Sequence, residues 1–138
     1  MHLYEENRVA VCARDAEPAD ADRLNWRDAA DWTLVVNTAS GTTGPWSWPE
    51  GNGPRRVVET ANFDEWLESI VAGRGIGIVP EVAERRIHHP ALCFLPLDGA
   101  PPIRVRLAYL PNAGAGAQPA LLRRFLDAAS TCTHASEA

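Results

Sequence analysis

The sequence predicts an α/β fold with a largely parallel sheet, and three observations carry that reading. Short apolar runs and helix-like segments alternate along almost the whole chain. The run "TLVVN" is continuous rather than alternating, as a strand covered on both faces is. The best helix leads through a glycine-rich passage straight into the next strand. With 138 residues, the chain has one domain's length and enough material for a real core.

Taken in order, "RVAVCAR" (8–14) reads as a strand, with Val9, Val11 and Ala13 at alternate positions. The acidic "DAEPADADR" that follows reads as a loop. "NWRDAADW" suits a short helix capped by Asn25, with Asp28 three residues on. "TLVVN" (33–37) is a buried strand, and the Gly-, Pro-, Ser- and Thr-rich "TASGTTGPWSWPEGNGPRR" is mostly loop. After a strand at "RVVE" (56–59), Asn62 and Glu65 form a capping-box pair. Phe63, Trp66, Leu67, Ile70 and Val71 then fall on one helical face, and Gly73 stands where a helix ends.

"IGIVP" is the next strand, and Pro80 opens a short helix, "EVAERRI". "ALCFLPL" and "IRVRLAYLP" are two further strands. "NAGAGAQ" is a turn, and "PALLRRFLDAAS" is a closing amphipathic helix with Leu122, Phe125, Leu126 and Ala129 on one face. The tail "TCTHASEA" reads as frayed. "RVAVCAR" and "RVRLAYL" are expected to lie together as antiparallel strands at the edge of the sheet.

The glycines of "VAGRGIGIVPE" invite a nucleotide-binding reading, which the order of elements rejects. A phosphate loop follows a strand and opens a helix, whereas here a helix precedes the glycines and a strand follows. The spacing is G-x-G-x-G, and no Lys-Ser/Thr comes after it. These glycines are expected to end the helix and let the strand pack closely against it.

Other chemistry is poorly supported. His88, His89 and Cys93 cluster in sequence, but no second group completes a tetrahedral metal site. Cys12 and Cys93 lie in apolar strand patterns, where cysteine behaves as a small hydrophobe. No G-x-S-x-G elbow is present. Of Trp46 and Trp48, one is expected in the core and its neighbour on the surface. The pairs Arg55-Arg56, Arg85-Arg86 and Arg123-Arg124 read as solvated faces.

All 13 basic residues are arginine, and the net charge of −5 opposes a grip on nucleic acid. Three widely spaced cysteines form no disulfide framework and fit a reducing compartment. No apolar run approaches a membrane span, and "MHLYEENR" is no signal peptide.

In parallel α/β sheets, ligands bind beyond the carboxyl ends of the strands. "TLVVN" leads there into Thr38, Ser40, Thr42 and Thr43, "RVVE" into Thr60 and Asn62, and "IGIV" into Pro80. Thr38, Ser40, Thr43, Thr60, Asn62 and Pro80 are therefore the candidate binding residues. Their hydroxyls and free backbone N–H groups suit a carboxylate or similar small anion.

"VETANFDEWLESIVAGRGIGIVPE", "LCFLPLDGAPPIRVRLAYLP" and "LLRRFLDA" together resemble the effector-binding domain of LysR-type transcriptional regulators, from Leu3 to about Ala129. "LYEENRVAVCARD" is similar to the strand that crosses between that domain's two subdomains, although "AEPADAD" replaces the usual His-Pro-Leu. The resemblance implies a periplasmic-binding-protein-like (type 2) fold with two antiparallel crossover strands. Residues 1–15 would be the crossover strand, 16–97 the second effector-binding subdomain, and 98–138 the returning strand and closing helix of an incomplete first subdomain.

The resemblance further implies a cytoplasmic regulator that binds a small-molecule effector and is not an enzyme. It would use no cofactor or metal, and would associate as a homodimer or higher homo-oligomer. DNA would be touched only through a winged helix-turn-helix that this chain does not contain. An extracytoplasmic solute-binding protein of the same fold is the alternative.

Overall fold

The computed structural model describes residues 1–110 and 119–136. The turn expected at 112–118 falls outside them. The chain divides into two compact units, Glu6–Ile103 and a smaller one formed by Met1–Glu5 with Arg104–Ala138.

In the smaller unit, β1 (His2–Glu6) pairs with β8 (Ile103–Arg106). Met1 and Leu107 exchange both backbone hydrogen bonds, each 2.8 Å long, which is the antiparallel pattern. The closing helix, α3 (Pro119–Ser136), runs on through residues whose sequence suggested fraying. Leu122, Leu126 and Ala129 are half-buried, while Phe125 is 57% exposed.

The larger unit is built on β2 (Arg8–Ala13), β3 (Leu24–Asn25), β4 (Leu34–Asn37), β5 (Val57–Thr60), β6 (Gly77–Pro80) and β7 (Leu92–Asp98). β2 pairs antiparallel with both β6 and β7, while β3 runs parallel to β7 and β4 parallel to β5. A single parallel bridge, Leu34 to Ile76, joins β4 to the start of β6. The strands thus follow the order β5-β4-β6-β2-β7-β3, and only β2 runs against the rest. The α/β, periplasmic-binding-protein-like class stands, with its mostly parallel sheet.

One expectation is corrected. "RVAVCAR" is not an edge strand beside "RVRLAYL"; it is the interior strand of the larger sheet, and His2–Glu6 pairs with Ile103–Arg106 instead. The reason lies in its composition. Every residue from Val9 to Ala13 is buried, because Ala10 and Cys12 turn toward one apolar cluster and Val11 toward the other. A strand with both faces covered belongs inside a sheet.

Two α-helices and three short 3-10 turns, Glu17–Asp20, Pro45–Ser47 and the expected Glu81–Arg85, complete this part. α1 (Trp26–Ala29) is capped by Asn25, whose side chain accepts the Arg27 N–H at 2.9 Å. Trp26 stacks on Trp48 with ring centroids 4.0 Å apart, and the Trp48 indole donates to the Trp26 carbonyl. Trp48 is buried and Trp46 is exposed.

α2 (Phe63–Val71) forms for the reasons its sequence gives. Asn62 accepts the Glu65 N–H at 2.9 Å, a cap that contributes about 1 kcal/mol. The Glu65 carboxylate reaches back to the N–H of Ala61, one residue before the cap. Trp66 and Ile70 are buried against the sheet, and the Trp66 indole donates to the Val35 carbonyl at 3.0 Å.

At its far end, the N–H groups of Gly73 and Arg74 bond the carbonyls of Ile70 and Ser69. This Schellman closure needs the positive φ of 74° at Gly73. Gly77 then passes directly beneath α2, where a Cβ would collide with Trp66 and Ile70. The alternating glycines therefore close a helix and let a strand pack against it.

Candidate functional site

Because β4, β5 and β6 run the same way, their carboxyl ends at Asn37, Thr60 and Pro80 lie along one edge of the sheet. The chain leaves β4 through a tight turn organised by Asn37. Its Oδ1 accepts the N–H groups of Ala39 (3.0 Å) and Ser40 (3.4 Å), and its Nδ2 donates to Ser40 Oγ at 3.0 Å. The Gly41 N–H closes the turn on the Asn37 carbonyl. An asparagine whose amide bonds its own backbone is well suited to this position.

Arg8, at the start of β2, braces the same turn. Its Nε donates to the buried Thr43 Oγ1 at 3.0 Å, its Nη1 to the Pro101 carbonyl and its Nη2 to the Thr42 carbonyl at 3.5 Å. The guanidinium also stands 5.7 Å from the Trp26 ring centroid. Partial burial lowers its pKa from the ordinary guanidinium value, yet an arginine stays charged.

A cavity of about 480 Å³ opens at this edge. Its lining includes the polar Asn37, Ser40, Thr42 and Thr43, the apolar Phe63, Trp66, Ile78 and Ile87, and Arg86. Arg86 has no ion-pair partner among the described residues. A larger open groove of about 1210 Å³, lined by Trp26, Trp48, Arg27, Arg55 and Arg56, also touches Thr33. Thr33 precedes β4 and Arg56 precedes β5, so this groove lies at the amino ends of the strands. Size and its three arginines favour the groove, but strand polarity favours the smaller cavity.

Of the six residues singled out from sequence, Ser40, Thr43 and Pro80 line the cavity. Thr38, Thr60 and Asn62 do not line it. Thr38 Oγ1 donates to the Thr60 carbonyl (3.0 Å), Thr60 Oγ1 to the Val36 carbonyl (2.9 Å), and Asn62 caps α2. Asn37, Phe63, Trp66 and Arg86 escaped the sequence reading as site residues. Asn37 looked like the end of a strand and Arg86 like half of a solvated pair. Their signal was position, since each closes or follows a strand end on this edge. His89 Nδ1 accepts the Ala91 N–H in a local turn.

This arrangement, a mostly parallel sheet with one reversed crossover strand and a cavity at the strand ends, defines a periplasmic-binding-protein-like ligand-binding architecture. The LysR substrate binding domain family matches residues 1–131, and the chain belongs to it.

Solved structures agree on the fold. The effector binding domain of QuiR in complex with shikimate is 19% identical, with a TM-score of 0.64 over 81% of this chain and 55% of that one. The BenM effector binding domain with its effector benzoate is 20% identical, with a TM-score of 0.60 over 78% of this chain and 54% of that one. The oxidized form of OxyR is 16% identical, with a TM-score of 0.71 over 95% of this chain and 63% of that one. The chain therefore spans between half and two thirds of these relatives' lengths. No curated protein matches it in sequence.

Proposed function

We propose that this chain senses a small molecule for a LysR-type transcriptional regulator, and that its larger unit supplies one wall of the effector site. In this reading, residues 16–97 are the core of the second effector-binding subdomain. The supporting observation is the cavity where the ends of β4 and β6 meet α2, lined by hydroxyls, an amide, apolar side chains and Arg86, which has no ion-pair partner among the described residues. Such a site takes a small amphipathic anion such as a carboxylate. Arg86 would attract the charge, Ser40, Thr42 and Thr43 would orient it, and Phe63 and Trp66 would cover the ring or chain. Thr38, Thr60, Asn62 and Pro80 would hold the strand ends and the helix entry that shape the rim.

The role is regulatory rather than catalytic, cytoplasmic, and exercised in a homodimer or higher homo-oligomer. DNA contact would be made outside these residues, whose net charge of −5 opposes a phosphate backbone. Effector binding would act by shifting the population of regulator conformations.

Calorimetric titration with benzoate and with shikimate tests the site. At least one should bind, weakly, and Arg86→Gln should reduce its affinity about tenfold, the loss of one charge-assisted contact. Binding unaffected by Arg86→Gln and Ser40→Ala, but abolished by changes at Arg55 and Arg56, would move the site to the groove at the opposite edge.

A further inference from the structure

Cys12 and Cys93 stand directly opposite each other on β2 and β7. The Arg14 N–H bonds the Ala91 carbonyl at 2.9 Å, which fixes the alternation of that ladder. Two residues further along, Cys12 and Cys93 are again a hydrogen-bonded pair. Such pairs hold their Cα atoms about 5.5 Å apart, within the roughly 4.4–6.8 Å that a disulfide bridges. Opposed residues also project to the same face of the sheet. Both thiols are free. Cys12 is buried in an apolar cluster, and the half-buried Cys93 packs against that same cluster.

We propose that Cys12 and Cys93 form a cross-strand dithiol that a low-molecular-weight disulfide oxidises to an intramolecular disulfide. The more accessible Cys93, as its thiolate, attacks the oxidant and expels one thiolate, leaving a mixed disulfide. Cys12 then loses its proton and displaces the second thiolate. The protein gives up two protons and two electrons, and the oxidant becomes two thiols. The second step is the slow one, because burial holds the Cys12 thiol up at about 11, where little thiolate exists near neutral pH. The bridge would bolt the reversed strand β2 to β7. β2 also carries Arg8, which braces Thr43 at the cavity, so oxidation acts on the strand that supports the candidate site.

The test uses the Cys132→Ser variant, which removes the exposed third thiol, incubated folded with glutathione disulfide. After alkylation of the remaining thiols, digestion and non-reducing mass spectrometry should reveal one peptide pair joined through Cys12 and Cys93. It should form faster as the pH rises from about 7 to about 9, because both steps need a thiolate. Cys12→Ser should stop at a glutathione adduct on Cys93. The same mapping on the unaltered chain serves if the Cys132 variant misfolds. Unmodified thiols, adducts without a bridge, or a bridge that forms only in denaturant would each overturn the proposal.

Discussion

Replacing Gly77 with alanine tests how tightly α2 is seated on the sheet. Gly77 opens β6 opposite Val11 of β2. An added methyl would collide with Trp66 and Ile70 and come within 2.9 Å of Val11 Cγ1. None of the three has room to retreat: their exposures are 4%, 0% and 0%, and the Trp66 indole is tethered to Val35.

Overpacking a well-filled core costs about 1–3 kcal/mol, and three simultaneous collisions put this site near the top of that range. Removing a glycine from a strand returns about 0.5–1 kcal/mol, leaving a net loss of about 2 kcal/mol. For a chain of this size that corresponds to a fall in Tm of about 6–10 °C.

Urea melts followed by tryptophan fluorescence would measure it. Shortening the neighbour, as in Gly77→Ala with Ile70→Val, should recover part of the loss through a coupling of at least about 0.5 kcal/mol. Gly73→Ala provides the contrast. Nothing lies within 4 Å of its added carbon, so its cost of about 1–2 kcal/mol comes from the positive φ and should not respond to Ile70→Val. A Gly77→Ala protein as stable as its parent, or a double variant with no recovery, would refute the steric account.

Three further outcomes are expected. Asn62→Ala should cost about 1 kcal/mol in the same melts, since it orphans the Glu65 N–H, whereas Asn62→Asp should keep most of that stability. Burial, and then the neighbouring Cys93, raise the Cys12 thiol from 9.0 to about 11. The folded state therefore holds that proton longer than the unfolded chain does. The resulting stability, at most about 2–3 kcal/mol, is complete below pH 9 and drains away as pH rises through 11. The reduced protein should show this alkaline slope more steeply than Cys12→Ala. On α3, Leu121 and Phe125 are 58% and 57% exposed. Light scattering should detect association that Leu121→Asp with Phe125→Asp abolishes, and a monomer at high concentration would remove the helix from any interface.

The parts of this molecule that were legible in sequence are those where neighbouring residues agree. In α2 the Asn62 cap, the spacing of Trp66 and Ile70, and Gly73 at the end all specify the same helix, and each does in the structure what its type suggests. β2 was misplaced because its position depends on partners far away in the chain. No local pattern in "RVAVCAR" reveals that Cys12 will face Cys93 and Val11 will face Gly77, or that both faces will be covered. The candidate site divides along the same line. Hydroxyls at strand ends are read from sequence as free to meet a ligand, but the backbone claims them first. Thr38 and Thr60 give their protons to carbonyls that tie β5 to β4, and Asn62 gives its oxygen to α2. Ser40 differs, because its oxygen accepts from Asn37 and its hydroxyl donates to no partner among the described residues. Arg86 likewise holds a charge that no carboxylate among the described residues has taken. The groups best placed to meet an anion are therefore those whose bonding capacity the fold has not used, and that remainder is computed only when the strands are in register.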